Sequence, residues 1–184
     1  MADTGWVTAG TGTTSGSGDK SWVNASNVTA DDASYAQVTN IDEEESSNLL
    51  VGHNFGLSVP SGATIDGIEI KIEWYGGSPR STIDNIAKLR KGGSSSGIDN
   101  NSKNNNPSFS AQTVTYGNST DLWGTTWSDA QVTAEDFGFE FGVVEDENDD
   151  NNEVYVDYIA VKVHYTESAG DPSPGGSDLI WDIT

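Results

Sequence analysis

The sequence contains no cysteine, so neither a disulfide framework nor a thiolate metal site holds the fold, and stability must come from packing and assembly. It is also poor in base. Only 8 Lys and Arg stand against 29 Asp and Glu, a formal net charge of −21. Such a surface repels a phosphate backbone at ordinary salt, which argues against direct nucleic-acid binding. Histidine occurs only at His53 and His164. His53 falls in the inward phase of a strand and reads as a core residue, while His164 lies near a strand end on the outer face, so neither makes a convincing base. There is no Gly-rich phosphate loop leading into a helix and no His-rich metal spacing. Carboxylate pairs suited to glycoside hydrolysis can be drawn by chance from so many acids, so their abundance removes the signal. The expectation is a non-enzymatic protein. No apolar run approaches a membrane span, and the opening MADTGWVTAGTGTTSGSGDK lacks a basic segment followed by an apolar one, so no membrane association is expected.

What is present is polar and turn-rich. Hydrophobic residues make up only 34% of the 184 residues, and Gly numbers 21, a composition that favours short strands joined by polar loops over a helix bundle. Period-two alternation marks the strands. In GIEIKIEW, Ile68, Ile70, Ile72 and Trp74 share one face and Glu69, Lys71 and Glu73 the other. LLVGHNFGLSV places Leu49, Val51, His53, Phe55, Leu57 and Val59 in one phase, and FGFEFGVV does the same for Phe137, Phe139, Phe141 and Val143. In EVYVDYIAVKVHY the phase changes between Val156 and Ile159, which predicts a β-bulge at Asp157 and Tyr158. Further strands are expected over Tyr35 to Asn40, Asn85 to Lys91 and Ser110 to Gly117. The fold class expected is all-β, an antiparallel two-sheet β-sandwich of jelly-roll type with extended N- and C-terminal arms.

The division expected is an N-terminal arm over 1–20, a sandwich over 21–166, and a linker with a C-terminal docking tail over 167–184. Leu179, Ile180, Trp181 and Ile183 are the apolar end of that tail, and with Trp6 of the arm they are the candidate partner-docking residues; packing against the home domain is the alternative. The long polar loop Lys91 to Ser108 holds nothing apolar but Ile98 and is either mobile or held by a neighbour. Acid is concentrated at Asp42 to Glu45 and at Glu145 to Glu153. These runs read as solvated loops or, in the second, as a calcium site with Asp146, Asp149, Asp150 and Glu153 as oxygen ligands; the spacing is not that of an EF-hand, and otherwise no cofactor is expected. Among six tryptophans, Trp123 and Trp127 in TDLWGTTW serve either as sugar-stacking faces or as caps on the core.

SWVNASNVTADDASYA, LLVGHNFGLSVPSGATIDGIEIKIEW, NIAKLRKGG, TYGNSTDLWGTTWSDAQVTAEDFGFEF and VYVDYIAVKVHYT, taken in that order over Trp22 to Thr166, resemble a β-sandwich module of tailed-phage and marine-virus virion proteins. The resemblance implies a non-enzymatic structural role on the capsid exterior, decorating or cementing it through arms and tail. It implies the major capsid protein or other virion subunits as partners, and a homo-oligomer, a trimer at a capsid threefold position. The alternative is a carbohydrate-binding adhesion module of a tail fibre or cell-surface protein.

Overall fold

The computed structural model describes residues 1–78 and 81–168. In chain order the elements are β1 (Ala2–Asp3), β2 (Val7–Thr8), β3 (Thr11–Ser15), a 3-10 turn (Ala25–Val28), β4 (Ala36–Ile41), β5 (Leu49–His53) and β6 (Thr64–Gly76). β7 (Thr82–Arg90), β8 (Gln112–Asn118), the short helix α1 (Asp129–Val132), β9 (Gly138–Glu145) and β10 (Asn152–Thr166) follow. Among the described residues the strands form two antiparallel sheets, as the alternating pattern requires. The larger runs β1-β10-β6-β8, with β2 and β4 also on β10, and the smaller runs β3-β5-β9-β7.

The core lies between them. Ile68, Ile70, Ile72 and Trp74 of β6 meet Phe139, Phe141 and Val143 of β9, with Phe137 just before it, and all are buried. Full burial of each such side chain contributes about 1.5–3 kcal/mol. The ring of Trp74 stands edge-on to Phe141, with centroids 5.3 Å apart, a geometry the aromatic quadrupole favours.

β10 is the central strand of the larger sheet. It pairs with β6 along one side, and with β4, β2 and β1 in turn along the other. The bulge falls where the phase change placed it: the β10–β6 register shifts between Val156 and Ile159, so Val154, Val156, Ile159, Val161 and Val163 all reach the core.

Two expectations are corrected. β5 has the opposite phase: Leu50 and Gly52 face the interior, and Leu49 and His53 turn outward, half-buried. Apolar residues of both parities made the strand ambiguous, and Gly52 decides it, because a Cβ there would stand 3.1 Å from Ile159 and 3.2 Å from Ala9. The chain then re-phases through Asn54 at φ 57°, bringing Phe55 and Leu57 inward. Residues 2–15 do not stand off as an arm. They pair with β10 in one sheet and β5 in the other, and cross between the sheets at Ala9, whose N–H donates to Ile159 O at 2.9 Å.

The long polar loop is held by its own chain. The buried Asp84 carboxylate accepts N–H groups from Lys103 at 2.8 Å and Asn105 at 2.7 Å, and Ile98 is buried beneath the loop. Leu179, Ile180, Trp181 and Ile183 lie outside the described residues.

Candidate functional site

The bulge in β10 sets two consecutive residues, Asp157 and Tyr158, under the loop that precedes β4. Asp157 is buried, and its carboxylate accepts backbone N–H groups from Ala33 at 3.1 Å and Asp32 at 3.4 Å. Ala33 adopts the left-handed conformation at φ 61° to make this turn. Beside Asp157 stand Glu73 of β6 and Asp31 of the loop, and carboxylate oxygens of the three lie within 4.8 Å of one another. Among the described residues no ion pair with Lys or Arg neutralises them. Burial pushes the Glu73 carboxyl up, and the charges of Asp31 and Asp157 push the same way. Burial also raises Asp157, against the two N–H bonds that favour its charged form. The trio offers a hard cation one oxygen each, against the six to eight that calcium takes.

One step along the same outer face is an aromatic platform. Tyr75 and Tyr155 are directly opposite in the β6–β10 ladder, because each alternates with core residues of its own strand and so points outward. Their rings stack with centroids 4.7 Å apart and planes 9° from parallel. Tyr35 stands edge-on to both, 5.1 Å from Tyr75 and 6.2 Å from Tyr155. All three are half-buried. The Tyr155 hydroxyl donates to Glu153 at 2.8 Å; burial, then that bond and the Glu153 charge, push its phenol up to about 12. Burial likewise raises Tyr35 and Tyr75, so the platform keeps its hydroxyl protons at neutral pH.

Beyond Glu73 along β6 the face ends in Trp6, which is 36% exposed. Its ring lies 4.2 Å from Lys71 Nζ and 4.6 Å from Lys162 Nζ. Trp6 thus lies against its own sheet. Lys71 and Tyr75 are four residues apart on one strand, so Trp6 and the tyrosines are separated by about 13 Å. Lys162 and His164 both bond Glu69, at 3.0 and 2.6 Å. Burial raises the Glu69 carboxyl, but these bonds outweigh it and hold the group below its ordinary value.

Trp123 and Trp127 are elsewhere, and present no face to solvent. They are 0% and 8% exposed. The indole of Trp123 donates to Ile68 O at 2.9 Å and stands edge-on to Phe139, while that of Trp127 donates to Leu122 O at 3.0 Å and stands edge-on to Phe137. They cap the core, the other of the two roles open to them.

Asp146, Asp149, Asp150 and Glu153 do not converge either; the one three-acid group among the described residues is Asp31, Glu73 and Asp157. Asp149 accepts from Ser81 Oγ, Asp150 from the Glu43 N–H and Glu153 from Tyr155. The two acidic runs nonetheless meet: Glu145 accepts N–H groups from Glu147 at 2.6 Å, Asp149 at 3.1 Å and Glu44 at 3.4 Å, and Asp42 accepts from Asn151 at 2.9 Å. These carboxylates close the turns between strands.

The tyrosines and the Asp31 group were missed in the sequence. The available signal was an outward aromatic beside an inward one, Tyr75 after Trp74, repeated by Tyr155 between two valines.

No protein-family model matches the chain, and no curated protein does. The solved structures that it is similar to include two carbohydrate-binding modules. One is the carbohydrate-binding module TmCBM61 in complex with β-1,4-galactotriose, at TM-score 0.41 and 14% identity over 79% of this chain and 84% of that chain. The other is the family 11 carbohydrate-binding module of the cellulosomal cellulase Lic26A-Cel5E of Clostridium thermocellum, at TM-score 0.37 and 12% identity over 90% and 91%.

Proposed function

We propose that this chain is a non-catalytic sandwich module that binds glycan on the outer face of its larger sheet. The observation behind the reading is the three-tyrosine platform set directly beside the Asp31, Glu73 and Asp157 carboxylates. Tyrosine faces accept the C–H side of a sugar ring, their hydroxyls donate to its oxygens, and carboxylates accept from its hydroxyls. Trp6 offers a second aromatic surface about 13 Å along the face, a spacing that suits an extended chain of sugars better than a single one.

A module of this kind serves equally in a tail fibre and in a cell-surface protein. The virion setting, with the major capsid protein as partner and a trimeric assembly, rests on the sequence resemblance over Trp22 to Thr166.

Retention of the full chain in gels cast with soluble polysaccharides tests the proposal. Wild type should be retarded by at least one polysaccharide, and Tyr75→Ala and Tyr155→Ala should run free while melting cooperatively. No retardation by any polysaccharide, or equal retardation of the variants, refutes it.

A further inference from the structure

We infer that the outer face of the smaller sheet holds a second and independent binding pocket, sized for a single neutral sugar ring. A cavity of about 260 Å³ opens there between the turn at Gly16 to Gly18, the segment Ser46 to Leu49, and Asn85 with Ile86 on β7. It lies on the opposite sheet from the tyrosines, so it goes beyond the reading above and does not depend on it.

Three properties define what it takes. The first is neutrality: no lining residue is charged, on a chain with 29 acids. The second is an apolar wall built around a glycine. Leu49 and Ile86 flank Gly142 of β9, where a Cβ would stand 3.2 Å from Leu49 Cδ2 and 3.3 Å from Ile86 Cβ. The third is unmet acceptor capacity. Asn48 Oδ1 and Asn85 Oδ1 are buried and accept no hydrogen bond from any described residue, a state that native structures keep to a few atoms.

The two amides are held differently. Asn48 is fixed, since its Nδ2 donates to Ser21 Oγ at 2.8 Å and its backbone N–H to Lys20 O at 2.6 Å. Asn85 is anchored through its backbone carbonyl, which accepts from Asn100 Nδ2 at 2.7 Å, so its side-chain amide can turn toward the cavity. A pyranose brings a hydroxyl donor for the Asn85 oxygen as its amide turns, and a C–H face for Leu49 and Ile86, without charge. The volume falls below the roughly 300–1,000 Å³ of pockets for drug-sized ligands, which fits one ring and not a chain. An anion finds no cationic side chain there.

An amide NMR titration of the full chain with methyl glycosides of glucose, galactose, mannose and N-acetylglucosamine tests this, with galacturonate as the charged control. Saturable shifts at Gly16, Gly18, Ser47 and Asn85 are expected with at least one glycoside and not with galacturonate. Gly142→Ala should abolish them by narrowing the gap between Leu49 and Ile86, Asn85→Ser should raise Kd about tenfold, and Tyr75→Ala should leave them unchanged. The amide spectrum of each variant reports whether its fold is intact. Absence of saturable shifts with every glycoside, an equal response to galacturonate, or binding indifferent to both pocket variants overturns the inference.

Discussion

The rings of Trp74 and Phe141 meet across the sandwich as a T-shaped pair with planes at 83°, and Trp22 approaches the same phenylalanine at 6.2 Å. Phe141 therefore joins β6 of one sheet, β9 of the other and the segment after β3. Phe141→Ala should cost about 3–5 kcal/mol, the range for deleting a buried aromatic and leaving a cavity. Chemical denaturation measures it, and a loss below about 1 kcal/mol would show that the core is not built around this ring.

The tyrosine stack should be readable without any ligand. A double-mutant cycle of Tyr75→Ala and Tyr155→Ala should give a coupling of about 0.5–1.5 kcal/mol, as stacked aromatic pairs do. Tyr75→Phe keeps the ring and should keep most glycan retention, whereas Tyr75→Ala should lose it. If Tyr75→Phe loses as much, the hydroxyl matters and the ring face does not.

Glu73 and Glu69, four residues apart on one strand, should respond oppositely to pH. Burial and nearby carboxylates raise the Glu73 group above its ordinary value of 4.5, so its charge costs stability above the raised value and the cost vanishes as pH falls through it. Glu73→Gln should therefore raise Tm at pH 7, with the gain fading on acidification. Glu69 is held low by His164 and Lys162, so its stabilisation is present at neutral pH and is lost as pH falls through the lowered value. Glu69→Gln should lower Tm at pH 7 and converge with wild type in acid. Parallel behaviour of the two variants would contradict this assignment of partners.

Asp84 should govern the protease resistance of the loop after β7. Removing its carboxylate strands the N–H groups of Lys103 and Asn105, at a cost of about 1–3 kcal/mol for a buried group left unpaired. Asp84→Ala should be cut by trypsin after Lys103 well before wild type, and unchanged cleavage would mean that other contacts hold the loop.

Salt should stabilise the chain. With a net charge of −21, raising ionic strength shortens the screening length from about 10 Å at 0.1 M to about 3 Å at 1 M, and Tm should rise with sodium chloride. A flat or falling Tm would show that self-repulsion is not a significant term.

The core was legible where apolar residues kept one parity. Ile68 to Trp74, Phe137 to Val143 and the bulge after Val156 are all visible as alternation and its interruption. It was illegible where both parities are apolar, as in Leu49, Leu50 and Val51, because the deciding contact, Gly52 beneath Ile159, comes from a strand about a hundred residues later. Residues 2–15 read as an arm because threonine and glycine carry no core signature, although they suit edge pairing. The outer face was hidden for a related reason. Tyr35, Tyr75 and Tyr155, like Asp31, Glu73 and Asp157, are neighbours only through the register of β10 against β4 and β6, which no local pattern reveals. Trp123 and Trp127 show the converse: tryptophan suits a core cap and a sugar platform equally, and only burial separates them.

The position of β10 bears on how the chain can fold during synthesis. Four strands made earlier, β1, β2, β4 and β6, share it as their partner. Until the ribosome has released residues 152–166 the larger sheet has no middle, and its would-be neighbours wait as unpaired segments. Almost every pairing in that sheet closes a long loop, which predicts slow folding that begins only after β10 has been made. A nascent chain stalled before Asn152 should be digested by protease throughout, whereas release of a few tens of residues more should protect both sheets at once.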